Sequence, residues 1–127
     1  ARTLMAEHGI GVVAIMANDP SDYPEDSFDN MVEVARQHDF PFPYLLDASQ
    51  EVAKAYGAVC TPDFFGYNER LELQYRGRFD STGRQLPPPA DNRHELLAAM
   101  QHVATTGSGP AEQTPSIGCS IKWQADA

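Results

Sequence analysis

Cys60 and Cys119 are the residues of this 127-residue chain best suited to covalent chemistry. A cysteine reacts as its thiolate, so redox work needs a nearby cation, a metal or a helix N-terminus to lower its pKa. No Lys, Arg or His flanks Cys60 in the run Val59-Cys60-Thr61-Pro62-Asp63. Two readings stay open for Cys60: a resolving or sensing thiol, or a small buried hydrophobe, a common fate of free cysteine. Cys119 sits in Ile117-Gly118-Cys119, where a glycine permits close backbone approach. It reads either as a tail thiol reaching back to the body or as an incidental packed residue. Whether the two pair depends on Cα separation and Cβ direction, which sequence does not supply. Thr61-Pro62 is a candidate cis peptide beside Cys60, against the ordinary reading of a trans turn entering a strand; about 5–6% of X-Pro bonds in folded proteins are cis.

Other ionisable residues form no constellation. His8, His38, His94 and His102 are scattered, and none has a partner at metal-ligand spacing, so no metal is assigned. The acidic run Asp22, Glu25 and Asp26 lacks the alternating ligands and glycine of a calcium loop and reads as a solvated helix start. Asn18-Asp19 follows an apolar run, where α/β folds place ligands, but a polar loop capping the next helix explains it as well. There is no glycine-rich phosphate loop and no Gly-x-Ser-x-Gly elbow, and no cofactor is expected.

Charge narrows the partners. Nine Lys and Arg against 18 Asp and Glu leave a net charge of -9, which argues against nucleic acid, since phosphate binding needs a basic face. No apolar run approaches the roughly 18 residues that cross a bilayer, so no membrane span is expected. The start, Ala1-Arg2-Thr3-Leu4-Met5, carries no apolar leader and is not a Met. It reads as a cut, a processed end or a partial record, and the cytoplasm is the favoured compartment.

Elements must position these residues. Leu4 to His8 reads as the last turns of a helix stopped by Gly9. Ile10 to Ala17 is short, apolar and β-branched, which predicts a strand covered on both faces. Ser27, with Asp26 in competition, caps an amphipathic helix over Phe28–His38. The prolines of Phe40-Pro41-Phe42-Pro43 end it, and Tyr44–Leu46 is a brief strand. Asp47 or Ser49 caps a helix over Gln50–Tyr56, ended by Gly57. A hairpin follows: a strand after Pro62 to Tyr67, a turn at Asn68-Glu69, and a return strand over Leu71–Tyr75. Residues 80–91, with Pro87-Pro88-Pro89, form a polar extended loop. Asp91 or Asn92 caps a final helix to about Val103. Thr105 to Pro115 reads as a mobile linker, and a Trp and two Ile in the tail, Pro115–Trp123, predict that it docks on the body. Two regions result, a domain at 1–104 and a linker with docked tail at 105–127. Alternating strands and helices closed by a hairpin and a helix indicate an α/β layered fold.

That order, with Thr61-Pro62 just before the hairpin, resembles the second half of a thioredoxin fold: a mixed sheet flanked by helices, with a C-terminal β-hairpin and helix. More closely, the chain resembles bacterial thioredoxin-like proteins of the alkyl-hydroperoxide-reductase/thiol-specific-antioxidant (AhpC/TSA, peroxiredoxin) type. The resemblance rests on Val13-Ala14-Ile15 with Asn18-Asp19, Tyr23-Pro24-Glu25-Asp26-Ser27, Phe40-Pro41-Phe42-Pro43-Tyr44-Leu45, Gln50-Glu51-Val52-Ala53, Cys60-Thr61-Pro62-Asp63-Phe64-Phe65, Tyr75-Arg76-Gly77-Arg78-Phe79-Asp80 and the tail Pro115-Ser116-Ile117-Gly118-Cys119-Ser120-Ile121-Lys122-Trp123.

The resemblance implies an antioxidant thiol–disulfide oxidoreductase or thiol peroxidase, whose partners are a thiol reductant and a protein disulfide or peroxide. It places Thr61 and Pro62 in the substrate groove and gives Cys60 and Cys119 auxiliary or resolving roles. The family's Cys-x-x-Cys pair is nowhere in these residues. By resemblance, the fold is N-terminally incomplete, lacking the central strand between the strands at 11–17 and 63–67. The expected consequences are that the chain alone is inactive and is poorly folded, rearranged, or assembled as a homodimer or strand-swapped form. The alternatives are a non-catalytic module that binds extended peptides at the Thr61-Pro62 loop, and a bare fragment without activity.

Overall fold

The computed structural model describes residues 1–82 and 92–125. Its elements alternate as the sequence predicts. Helix α1 (Arg2–His8) ends on Gly9, which adopts the left-handed conformation that glycine accepts without strain. Strand β1 (Ala14–Met16) follows, then a short 3-10 turn at Pro24–Asp26 and helix α2 (Phe28–Gln37). Ser27 caps α2: the Asn30 N–H donates to its hydroxyl oxygen at 3.2 Å. Strand β2 (Tyr44–Leu46) lies parallel to β1, with Ile15 opposite Leu45. Helix α3 (Glu51–Tyr56) starts over Asp47, whose carboxylate accepts from the Val52 and Ala53 N–H groups, while Ser49 accepts from Glu51.

Strands β3 (Cys60–Thr61), β4 (Phe64–Tyr67) and β5 (Leu73–Gly77) come next, then helix α4 (Glu95–Thr106) and strand β6 (Cys119–Ser120). Three two-stranded ladders result: β1–β2 parallel, β4–β5 antiparallel and β3–β6 antiparallel. Among the described residues, the second edges of β1 and β4 have no strand partner.

Two buried clusters hold the molecule. Leu4, Tyr75, Ala99, Met100 and Val103 join α1, β5 and α4. Ala17, Ala53 and Ile121 join the end of β1, α3 and the tail.

Several expectations need correction. The strand at 10–17 shrinks to three residues, and it is not covered on both faces: Val13 and Ile15 are exposed. Among the described residues β2 is its one strand partner, and that face is left partly open. The hairpin turn is wider than Asn68-Glu69, because Asn68 organises five residues. Its side-chain oxygen accepts from the Arg70 and Glu72 N–H groups, and its own N–H donates to Glu72 O. Leu71 is therefore a turn residue with positive φ, and the return strand begins at Leu73.

Asn92 does not cap α4. It bonds Asp80 and Ser81, and the helix starts at Glu95. Asp91 and the Pro87-Pro88-Pro89 run lie outside the described residues. The segment at 105–115 is tied along β5: Gln113 accepts from the Arg76 N–H and donates to Gln74 O, and the Arg78 N–H donates to Thr114 O. Of the two tail isoleucines only Ile121 docks; Ile117 is 92% exposed.

Candidate functional site

The loop between α3 and β4 gathers the residues singled out from sequence. The Thr61–Pro62 peptide bond is cis. Cys60 and Thr61 precede it as β3, and the tail strand β6 lies antiparallel against them. Cys60 faces Ser120, and Thr61 faces Cys119. Successive side chains on a strand point to opposite faces, whereas directly opposed residues share one. Cys60 and Cys119 are offset by one residue in this register. Their sulfurs therefore lie on opposite faces of the ribbon, and both cysteines are free. The loop brings the two thiols into one place without bringing them into bonding geometry.

The surroundings of the two differ. Cys60 is half-buried, and its thiol lies against the Ser116 carbonyl oxygen at 3.8 Å. Burial pushes its pKa up, the Asp63 carboxylate adds to this, and the Arg76 guanidinium opposes it. No cation flanks Cys60 in the sequence; Arg76 arrives from β5, 16 positions away in the chain, across the hairpin. Cys119 is exposed.

Asp63 is the organising residue that sequence reasoning missed. Its side chain is only 5% exposed. One carboxylate oxygen accepts from Ser116 Oγ at 3.0 Å and the other from Arg76 at 3.2 Å. Arg76 also donates to Gly57 O at the end of α3 and lies over the Phe65 ring. Ser116 contacts Gly77 O as well, at 2.6 Å, so the tail is pinned where β5 ends and β4 begins, beside the loop. The only local sign was a carboxylate directly after Pro62.

A second pin holds the tail beyond the loop. Gln50, 2% exposed, donates to Ala17 O at 2.7 Å and Lys122 O at 2.9 Å, and accepts from the Gln124 N–H at 2.9 Å. Asn18 accepts from the Lys122 N–H, and the Asp19 N–H donates to Lys122 O. Asn18-Asp19 thus serves the tail here, and Asn18 also donates to the Asp26 carboxylate at 3.1 Å, while the cap of α2 is Ser27. Gln50 has positive φ, a conformation that persists in a non-glycine residue only where its surroundings over-determine it. Trp123 stays 40% exposed with Lys54 over its ring.

Among the described residues, no three His, Cys, Asp or Glu converge as metal ligands. A shallow apolar depression between α3 and the hairpin, lined by Tyr56, Phe65 and Tyr67, contains neither cysteine. No described helix is long and apolar enough to cross a membrane.

A family model described as the AhpC/TSA family matches residues 2–79, which include Cys60, Thr61 and Pro62. No curated protein matches the chain. Solved structures do, two of them as follows. One is of an uncharacterized conserved protein from Geobacillus kaustophilus, 43% identical over 99% of this chain, with a TM-score of 0.88. The other is of a hypothetical protein from Sinorhizobium meliloti, 42% identical over 96% of this chain, with a TM-score of 0.83. The chain spans 66% of the length of each. A family match across more than half of the residues, with the same fold in two relatives of this identity, is conclusive: the chain belongs to the AhpC/TSA family and has a thioredoxin-like fold.

Proposed function

We propose that the protein carrying this chain is a thiol–disulfide oxidoreductase or thiol peroxidase. The AhpC/TSA match across the Cys60–Thr61–Pro62 loop carries this reading. In it, Thr61 and Pro62 line the substrate groove, and Cys60 and Cys119 are auxiliary thiols. In the peroxidase case a thiolate attacks a peroxide oxygen, the O–O bond breaks, and water or an alcohol leaves. The resulting sulfenic acid condenses with a second thiol, releasing water and forming a disulfide. An external dithiol then reduces that disulfide and is itself oxidised. In the reductase case the thiolate attacks a protein disulfide directly.

The first attack belongs to a cysteine outside these 127 residues. Burial and Asp63 push the Cys60 pKa up against the opposing Arg76 guanidinium, and no Cys-x-x-Cys pair is present in these residues to supply an activated thiolate. The test is thiol-dependent turnover by the product of the whole open reading frame, with peroxide and insulin as alternative oxidised substrates. Turnover of one and not the other selects between peroxidase and reductase; turnover of neither contradicts the proposal.

A second reading has one observation in its favour. The β3 edge already pairs with an extended segment, the chain's own tail. A non-catalytic module that binds extended peptides by main-chain pairing at Thr61 would use the same edge. Peptide binding with no thiol-dependent turnover of either substrate selects this reading.

A further inference from the structure

The tail crosses the Cys60–Thr61 edge between two anchors, and the span between them has few contacts of its own. At one end, Ser116 is pinned by Asp63 and Gly77 O. At the other, Ile121 is buried at 5% exposure, and Lys122 and Gln124 are gripped by Gln50, Asn18 and Asp19. Between them, Ile117 and Cys119 are exposed, and the ladder to β3 is two residues long. Gly118 lies directly against the Thr61 carbonyl, where any Cβ would enter the oxygen's van der Waals radius. Residues 117–120 are therefore seated by a glycine contact and a two-residue ladder, between a polar anchor at Ser116 and a mixed one, where Ile121 is buried and its N–H donates to Val59 O beside the polar grip on Lys122 and Gln124.

We propose that residues 117–120 are a strap closing the Cys60–Thr61 edge, and that release of the Gln50 anchor opens this edge to an extended peptide. The proposal rests on the reading of the loop as a substrate groove, and adds that the resident occupant is the chain's own tail. Several features fit a device that opens locally. The Gln50 anchor is made of hydrogen bonds to main-chain groups, each of modest net worth to folding. Opening there frees the main chain of Thr61 for an incoming strand and removes Cys119 from its place opposite Thr61. The occupant would be an extended segment with a glycine or similarly small residue against Thr61, because the same oxygen excludes a Cβ.

The test uses the product of the whole open reading frame and a fluorescent peptide of residues 115–124 carrying Cys119→Ser. That substitution prevents thiol exchange from imitating binding. No turnover is read, so the strap can fail while the redox reading stands, and the reverse. Binding to the wild-type chain is compared by anisotropy with Gln50→Ala, which loosens an anchor, and with Gly118→Ala, which lifts the strand from its middle. Both variants should bind at least tenfold more tightly than wild type. Equal binding by wild type and variants, or no binding by a folded variant, overturns the strap. If Gln50→Ala loses its folded signature, Gly118→Ala decides alone.

Hydrogen exchange on the wild-type product of the whole open reading frame tests the strap independently. Amides of residues 118–120 should exchange through local opening, at least tenfold faster than those of the buried Met100 and Val103 in α4. Exchange of the tail only together with α4 overturns the strap.

Discussion

Cys60 and Cys119 lie one register step apart but differ chemically. Cys119 is exposed, whereas Cys60 is half-buried with a carboxylate near enough to oppose its ionisation. Iodoacetamide is therefore expected to modify Cys119 first, with Cys60 lagging toward higher pH than a solvated cysteine, because its pKa is raised. Asp63→Asn removes one cause of that rise and should speed Cys60 alkylation at pH 8 several-fold; Arg76→Ala should slow it. Peptide mapping after timed alkylation reads both, and an unchanged Cys60 rate in Asp63→Asn contradicts the assignment. Sequence made Cys60, Thr61 and Pro62 visible because they are adjacent. It did not make the Asp63–Arg76–Ser116 cluster visible, since Asp63 precedes β4, Arg76 lies on β5 and Ser116 belongs to the tail. Nor did it reveal Gln50 as a latch. Its partners Lys122 and Gln124 are 72 and 74 positions away, and a polar residue at a helix start already has a local explanation.

Elements were more legible where a local pattern sufficed. The amphipathic spacing after Ser27, the helix ending at Gly57 and the hairpin all stand close to their expected places. Boundaries moved where a side chain took over, as at Asn68, or where a strand lacked a neighbour, as in β1. The start of α4 moved for another reason, because a long-range pair fixes it. Arg78 and Glu95 form an ion pair at 2.6 Å, backed by bonds from Arg78 Nε to both Glu95 oxygens. The hydrogen bond from Arg78, and its charge, hold the Glu95 carboxyl below its ordinary pKa. A depressed carboxylate pKa stabilises the fold above the unfolded-state value and stops doing so as pH falls through the folded-state value. Glu95→Gln should therefore lower the melting temperature at pH 7, and the difference should begin to shrink as pH falls below the ordinary glutamate pKa of about 4.3 and disappear once the depressed folded-state value is passed. Thermal melts at both pH values check this, and an equal deficit at pH 7 and pH 3 contradicts it.

The whole molecule is held less completely than its parts. Among the described residues nine apolar side chains are buried, three of them alanine, which is a small core for a chain of 127 residues. Eight of the nine fall into two clusters, with Met31 of α2 outside both, and no ladder joins β1 to β4 among the described residues. Val13, Ile15 and Leu45 are exposed on and beside β1 and β2. Unpaired strand edges and uncovered apolar side chains favour association with another strand. The isolated 127 residues are accordingly expected to melt over a broad range or to run as a dimer or strand-swapped species. A sharp, cooperative transition at monomeric mass in light scattering contradicts that expectation.

The functional proposal belongs to this scale too, because it divides the chemistry between a scaffold and a thiolate that the scaffold does not supply. The direct measurement is peroxide and insulin reduction by the 127-residue chain beside the product of the whole open reading frame, each with dithiothreitol. The expected result is turnover by the second and only the reagent background for the first. Turnover by the 127-residue chain that disappears in Cys60→Ser or Cys119→Ser, or none by either protein, would contradict it.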